Sequence, residues 1–174
     1  MSLNFDIPVK YMKYSLPDFG EGIGSALLPF FSGEKLTVFL HGGVGSRKTS
    51  LAAAILREWR KTGKPSCQGS QWGEFVAAYK FSEAAKDFDG GKVRVKFWKV
   101  AKVLVMDDIG SDRNTDFMRE QLLFILQYRY DYEKPTIVTS NLGLAGFAKH
   151  VDPRASSRLQ EGIILNMGNA DSRK

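Results

Sequence analysis

Cysteine is almost absent from this 174-residue chain, with Cys67 the only one. That excludes an internal disulfide framework and argues against a cysteine-based zinc site. It suits a reducing compartment. The two histidines, His41 and His150, lie far apart in sequence and suggest no metal centre. No apolar run reaches the roughly 18 residues of a membrane span. The stretch from Met1 to Lys10 is too polar for a signal peptide. A cytoplasmic protein with no membrane partner is therefore expected. Repeats and low-complexity tracts are missing as well. The composition that remains, 43% hydrophobic and 25% charged, suits one globular domain with a real core and excludes a disordered chain. A net charge of +6 permits an anionic partner such as nucleic acid without specifying one.

Strand-like and helix-like segments alternate, which predicts an α/β layered domain with a mainly parallel sheet. Met1–Ser32, with Pro8, Pro17 and Pro29, reads as an irregular entry segment. Leu36–His41 (LTVFLH) reads as a buried strand. Lys48–Thr62 reads as a helix, because Leu51, Ile55 and Trp59 recur every fourth residue and Gly63 ends it. Pro65–Gly69 is a candidate short strand. Gln71–Lys86 is expected to be helical, with Trp72, Phe75, Val76 and Tyr79 on one side as core rather than as a stacking platform. Val103–Asp108 reads as a strand. Asp116–Tyr132 follows as a helix capped by Asp116, with Phe117, Leu122, Phe124, Ile125 and Tyr128 on its apolar face. Thr136–Ser140 is a strand, Leu144–His150 and Pro153–Gln160 are short helices, and Ile163–Met167 is a last strand.

The strongest local signal is HGGVGSRKTS, His41–Ser50, between a strand and a helix. It follows the phosphate-loop pattern G-x-x-x-x-G-K-[ST] at Gly42, Lys48 and Thr49. In such a loop the backbone N–H groups of Gly42, Gly43, Val44, Gly45, Ser46, Arg47, Lys48, Thr49 and Ser50 wrap phosphate oxygens, so side chains must stay clear. The helix N-terminus adds partial positive charge. Lys48 would reach the β- and γ-phosphates of ATP, and Thr49 would hold Mg²⁺. Arg47 stands where the pattern has glycine. It either points outward, lends a second cation or spoils the site.

KVLVMDDIG, Lys102–Gly110, sets two acids at the end of an apolar strand. Beside a phosphate loop, Asp107 would orient Mg²⁺ and Asp108 would polarise an attacking water. Asn141, after the strand TIVTS, would hold that water near the γ-phosphate.

Together these segments resemble the AAA+ ATPase domain of bacterial and phage helicase loaders of the DnaC and DnaI type, and of the related IstB transposition helpers. The resemblance covers nearly the whole chain. It rests on IPVKYMKYSLPDF, FLHGGVGSRKTSLAAAIL, VLVMDDIGSD, REQLLFILQYRYDYEKPTIVTSNL and SRLQEG, with GNADSR near the end. It implies an α/β fold of the AAA+ P-loop class, with a mainly parallel five-stranded sheet, helices on both faces and no separate helical lid. An entry segment (1–32) would precede a nucleotide-binding domain (33–174). It implies that Asp107 and Asp108 are the Walker B pair and Asn141 is sensor 1. Arg158 would be an arginine finger reaching a neighbouring subunit, and Arg173 is similar to a sensor 2. The implied partners are a replicative hexameric helicase, single-stranded DNA and further copies of the chain through the Arg158 face. Arg154 precedes Arg158 by one helical turn and would face the same neighbour. Loaders of this type also carry an N-terminal region that grips the helicase; with almost nothing before Ile7, the expectation is either a truncated chain or a short relative that meets its partner differently.

Gly91–Lys102 interleaves Lys92, Arg94, Lys96, Lys99 and Lys102 with Val93, Val95, Phe97 and Trp98. It is expected to be an edge element with a charged outer face and buried aromatics, rather than a DNA-binding stripe. The leading expectation is an ATPase that helps load a helicase, with turnover weakened by Arg47. The alternatives are a nucleotide-gated adaptor that does not hydrolyse, an IstB-like helper of a transposase and, more distantly, a small-molecule P-loop kinase.

Overall fold

The computed structural model describes residues 7–62, 73–78, 80, 90–110 and 116–168. Its elements run, in chain order, α1 (Glu21–Ser32), β1 (Thr37–His41), α2 (Lys48–Thr62), β2 (Gly73–Ala77), α3 (Gly90–Val100), β3 (Val103–Asp107), α4 (Asp116–Asp131), β4 (Thr136–Ser140), α5 (Leu144–His150), α6 (Pro153–Gln160) and β5 (Ile163–Asn166). Five strands form one sheet in the order β2-β3-β4-β1-β5, and every neighbouring pair is parallel. Parallel neighbours need crossovers, and the helices supply them on both faces.

Strand alternation sorts the core into two layers. Val38 and Leu40 of β1, Val103 and Val105 of β3 and Ile137 of β4 pack with α1, α2 and Ile7 on one face. Phe39, Leu104, Met106 and Val138 pack with α3, α4, α5 and α6 on the other. A strand buried on both faces reads as an apolar run, as Val38–Leu40 of β1 and Val103–Met106 of β3 do, while β4 is buried throughout with Thr136, Thr139 and Ser140 in it. Each fully buried Leu, Ile or Phe contributes roughly 1.5–3 kcal/mol.

Four expectations change. The stretch expected to be helical from Gln71 contains strand β2, paired with β3 from Gly73↔Val103 to Ala77↔Asp107. Phe75 and Val76 are both buried but enter opposite core layers, a period of two that a short window cannot tell from one helical face. Trp72, Tyr79 and the proposed strand Pro65–Gly69 lie outside the described residues. Second, the entry segment is not irregular throughout. Its last twelve residues form α1, which seats Leu27 and Phe30 in the core and tolerates Pro29 inside the helix. Third, Phe124 does not join the apolar face of α4 but stands 53% exposed, with the Lys99 ammonium 4.0 Å from its ring centroid. Fourth, the Gly91–Lys102 stretch is not an edge element but a crossover helix, α3, between β2 and β3, with Trp98 buried in the core, Phe97 partly buried against it and Lys96 exposed.

Arg129, on α4, is one of the largest fully buried side chains. Its Nη1 donates to the carbonyls of Trp98 (2.9 Å), Lys99 (3.2 Å) and Ala101 (2.7 Å). Nη2 donates to Pro135 O (2.7 Å) and Nε to Thr136 Oγ1 (2.9 Å). The guanidinium thus ties the C-terminal end of α3 to the starts of β3 and β4, the two strands whose far ends lead into the site. Burial pushes its pKa down to about 9, so the charge is kept at neutral pH.

Candidate functional site

The loop between β1 and α2 lies at the C-terminal end of the sheet, where open α/β sheets bind ligands. Gly42 sits at φ 149°, and a Cβ there would come within 2.6 Å of Gly168 O. The same Gly168 carbonyl accepts from Gly43 N at 2.8 Å, so the end of β5 closes down on the start of the loop. Gly45 follows at φ 82°. Arg47 holds φ 63°, the left-handed conformation that the pattern's glycine supplies freely and that costs other residues roughly 1–2 kcal/mol. The loop therefore keeps its path with an arginine in the glycine position. α2 starts at Lys48, and the first-turn N–H groups of a helix have no partners within it.

A cleft of about 750 Å³ opens on this loop. Its walls are Val44–Ser50, the group Asp107, Asp108, Thr139 and Asn141, and on the other side Lys10, Tyr11, Lys13 and Tyr14. Lys48 Nζ curls back to Gly42 O (2.8 Å), Gly43 O (2.7 Å) and Ser46 Oγ (3.2 Å). Burial lowers its pKa, while Asp108 and Asp107 pull the other way. A buried ammonium held by neutral oxygens inside a concave loop is suited to trade them for an anion. Asp107 ends β3 and is itself buried. It accepts from Thr49 Oγ1 at 3.2 Å and Thr139 Oγ1 at 2.7 Å. Burial raises its pKa and the two hydroxyl bonds oppose the rise. The Thr49 hydroxyl and Asp107 carboxylate together are a hard-oxygen pair of the kind Mg²⁺ takes from protein. Asp108 sits at φ 61°. Its N–H donates to Thr139 Oγ1 at 2.8 Å, and its Oδ1 accepts from Asn141 Nδ2 at 3.1 Å. Burial, then Lys48, lowers the His41 pKa, so its ring is neutral at pH 7.

Lys48, Thr49, Asp107, Asp108 and Asn141, predicted from three separate segments, line one cleft. Arg158 does not join them. It lies against α4, where Nη2 donates to Gln127 Oε1 and the guanidinium stands 5.3 Å from the Tyr130 centroid. It lines a second cleft of about 520 Å³ with Tyr130 and Glu161. Arg154 instead pairs with its own cap residue, Asp152, at 3.1 Å. Arg173 lies outside the described residues. Thr139 carries no signal of its own in the sequence, because it is one of three hydroxyl residues in β4, with Thr136 and Ser140. The Lys10–Tyr14 wall had no signal in the loop pattern. No helix among the described residues is long and apolar enough to cross a membrane.

A parallel five-stranded sheet flanked by helices, with a lysine-threonine loop after β1, defines an α/β fold of the AAA+ P-loop class. Its structural neighbours are helicase loaders and replication initiators. The crystal structure of DnaI superposes with a TM-score of 0.74 at 24% identity, over 95% of this chain and 94% of that one. The DnaC helicase loader gives 0.71 at 24%, over 94% of this chain and 100% of that chain. AMPPCP-bound DnaA from Aquifex aeolicus gives 0.72 at 20%, over 92% of this chain and 50% of that one. In sequence, the phage-like element PBSX protein XkdC of Bacillus subtilis strain 168 is 32% identical over 133 residues. That alignment takes in 73% of this chain and 47% of XkdC, so the chain spans about half the length of that relative. No family model matches the chain.

Proposed function

We propose that this chain is an Mg-ATP-binding AAA+ module that helps place a replicative helicase on single-stranded DNA. The observation that carries the reading is the convergence of Lys48, Thr49, Asp107, Asp108 and Asn141 on one cleft. The likeness to loaders and to an AMPPCP-bound initiator supports it. In this reading the loop from Gly42 to Ser50 is the Walker A element and Asp107–Asp108 the Walker B element. Lys48 leaves its loop carbonyls to pair with β- and γ-phosphate oxygens, and the N-terminal amides of α2 take the others. Thr49 and Asp107 hold Mg²⁺, which neutralises phosphate charge when bound. Asp108 and Asn141, already hydrogen-bonded to each other, would orient an attacking water. Arg47, the residue that favours a binding-only adaptor, sends its side chain out of the loop to residues 14–19, which supports the hydrolysing reading.

The test is titration with a fluorescent ATP analogue in Mg²⁺. Lys48→Ala is expected to weaken binding about 100-fold, the scale of a lost buried charge pair. Unchanged affinity would remove the phosphate-loop assignment. Capture of a replicative helicase by the tagged chain supports the loader reading, and capture of a transposase instead would favour the IstB-like one.

Arg158 is proposed to act on a neighbouring subunit's nucleotide after release from Gln127 and Tyr130. Arg158→Ala is then expected to leave ATP affinity within about twofold while abolishing any ATPase that rises with protein concentration, because the side chain lies outside the cleft. A variant with normal concentration-dependent turnover would show that Arg158 serves only the α4–α6 contact.

A further inference from the structure

The loop pattern does not explain the wall formed by residues 8–19. This strap makes two short 3-10 turns, Val9–Tyr11 and Leu16–Phe19, and Ser15 and Asp18 bond reciprocally across the second, with Ser15 N to Asp18 Oδ2 at 2.7 Å. Two arginines fasten it. Arg57 of α2 donates to the carbonyls of Met12 and, at 3.0 Å, Tyr14. Arg47 does more. Its guanidinium carbon lies 4.9 Å from the Tyr14 centroid and 4.6 Å from that of Phe19, and Nη1 donates to Asp18 O at 3.3 Å. The two rings, 6.2 Å apart and inclined at 57°, close on one cation. Arg47 is thus a loop residue by its backbone and a strap residue by its side chain. Its left-handed φ alone would favour glycine, and the contacts to Tyr14, Phe19 and Asp18 oppose that preference.

We propose that Arg47 is a latch that positions the strap over the cleft, so that the strap holds the nucleoside end of the nucleotide. This rests on the nucleotide reading above. The loop amides and Lys48 suit phosphates, and the Asp107 side suits the metal and the attacking water. Lys10, Tyr11, Lys13 and Tyr14 are the lining residues left for sugar and base, and they bring phenol rings and ammonium groups able to stack on or bond to them. Arg47 is a positioning residue here. Restoring the pattern's glycine should therefore harm binding rather than improve it.

Two measurements on the full chain separate the latch from the nucleotide reading. The first needs no ligand. Hydrogen exchange is followed at the strap amides of Tyr11, Met12, Tyr14, Asp18 and Gly20, which donate to backbone carbonyls. In Arg47→Gly and in Phe19→Ala these amides are expected to exchange about fivefold faster or more, with Arg47→Lys between them and the parent, because lysine keeps charge but not the planar stack. Exchange at the parent's rate in Arg47→Gly would overturn the latch. The second compares ATP with inorganic tripolyphosphate, which has phosphates and no nucleoside. The parent's preference for ATP is expected to fall about fivefold or more in Arg47→Gly and Phe19→Ala. A preference that is kept or increased in Arg47→Gly would overturn the strap's role in holding the nucleoside. If the parent binds neither compound, the nucleotide reading fails, and the exchange rates alone decide the latch.

Discussion

Arg129→Ala is expected to cost about 3–5 kcal/mol, the scale of several buried carbonyls left unpaired. For a chain of this size that lowers Tm by roughly 6–20 °C. The cost comes from the acceptors left behind. The carbonyls of Trp98, Lys99, Ala101 and Pro135 all receive from Arg129, and each buried acceptor left unpaired costs about 1–3 kcal/mol. Loss of the guanidinium's own desolvation penalty offsets part of this sum, which keeps the total below the sum of the parts. Arg129→Lys is expected to recover little, because an ammonium has three donors on one atom and cannot span acceptors on α3, at Ala101 and Pro135, and on β4. Arg129→Met fills the volume and still leaves the carbonyls bare. Thermal unfolding of the three variants checks the account, and a methionine variant as stable as the parent would show that the guanidinium bonds contribute little.

Arg129 also shows where the sequence is hard to read. Between Tyr128 and Tyr130 on an amphipathic helix, an arginine reads by type as a solvent residue, yet it is 1% exposed. Its acceptors lie on elements up to 31 residues away, which no local window contains. The opposite error is Phe124, apolar by type and at core spacing, which stands outside with a lysine over it. The legible parts were those whose signal is local. Loop and helix boundaries follow from Gly42 and Lys48, β3 from the apolar run Val103–Met106 that a two-sided layer requires, and β4 from a short β-branched run, Thr136–Thr139. β2 was missed because Phe75 and Val76 suit either a helix or a strand in a five-residue window. Among the residues lining the cleft, those at a fixed offset from the loop or at a strand end are legible in the sequence. Thr139 and the strap are not, because their roles depend on partners distant in sequence, Asp107 for one and Arg47 for the other.

Asp107→Asn is expected to act in opposite directions on the free and the nucleotide-bound protein. Burial raises the Asp107 pKa in the folded state. A carboxyl with a raised folded pKa adds stability below its ordinary, unfolded value and loses that contribution as pH rises through the folded value. At neutral pH its ionised form is therefore a net cost to the free protein. Asparagine keeps the shape and satisfies both hydroxyls, with Oδ1 accepting from Thr139 and Nδ2 donating to Thr49. Free Asp107→Asn is expected to melt above the parent at pH 7, and the difference is expected to vanish in acid, where the parent's carboxyl is protonated as well. With Mg-ATP the order should reverse. At ligand a hundredfold above Kd the parent gains about 2.7 kcal/mol, roughly 5–11 °C in Tm at this size. The variant gains little, because its amide brings no charge to Mg²⁺ beside Thr49. Melting curves at two pH values, with and without Mg-ATP, test both signs. A variant that is destabilised when free would make Asp107 a structural carboxylate. One that keeps the full Mg-ATP shift would move the metal away from Thr49 and Asp107.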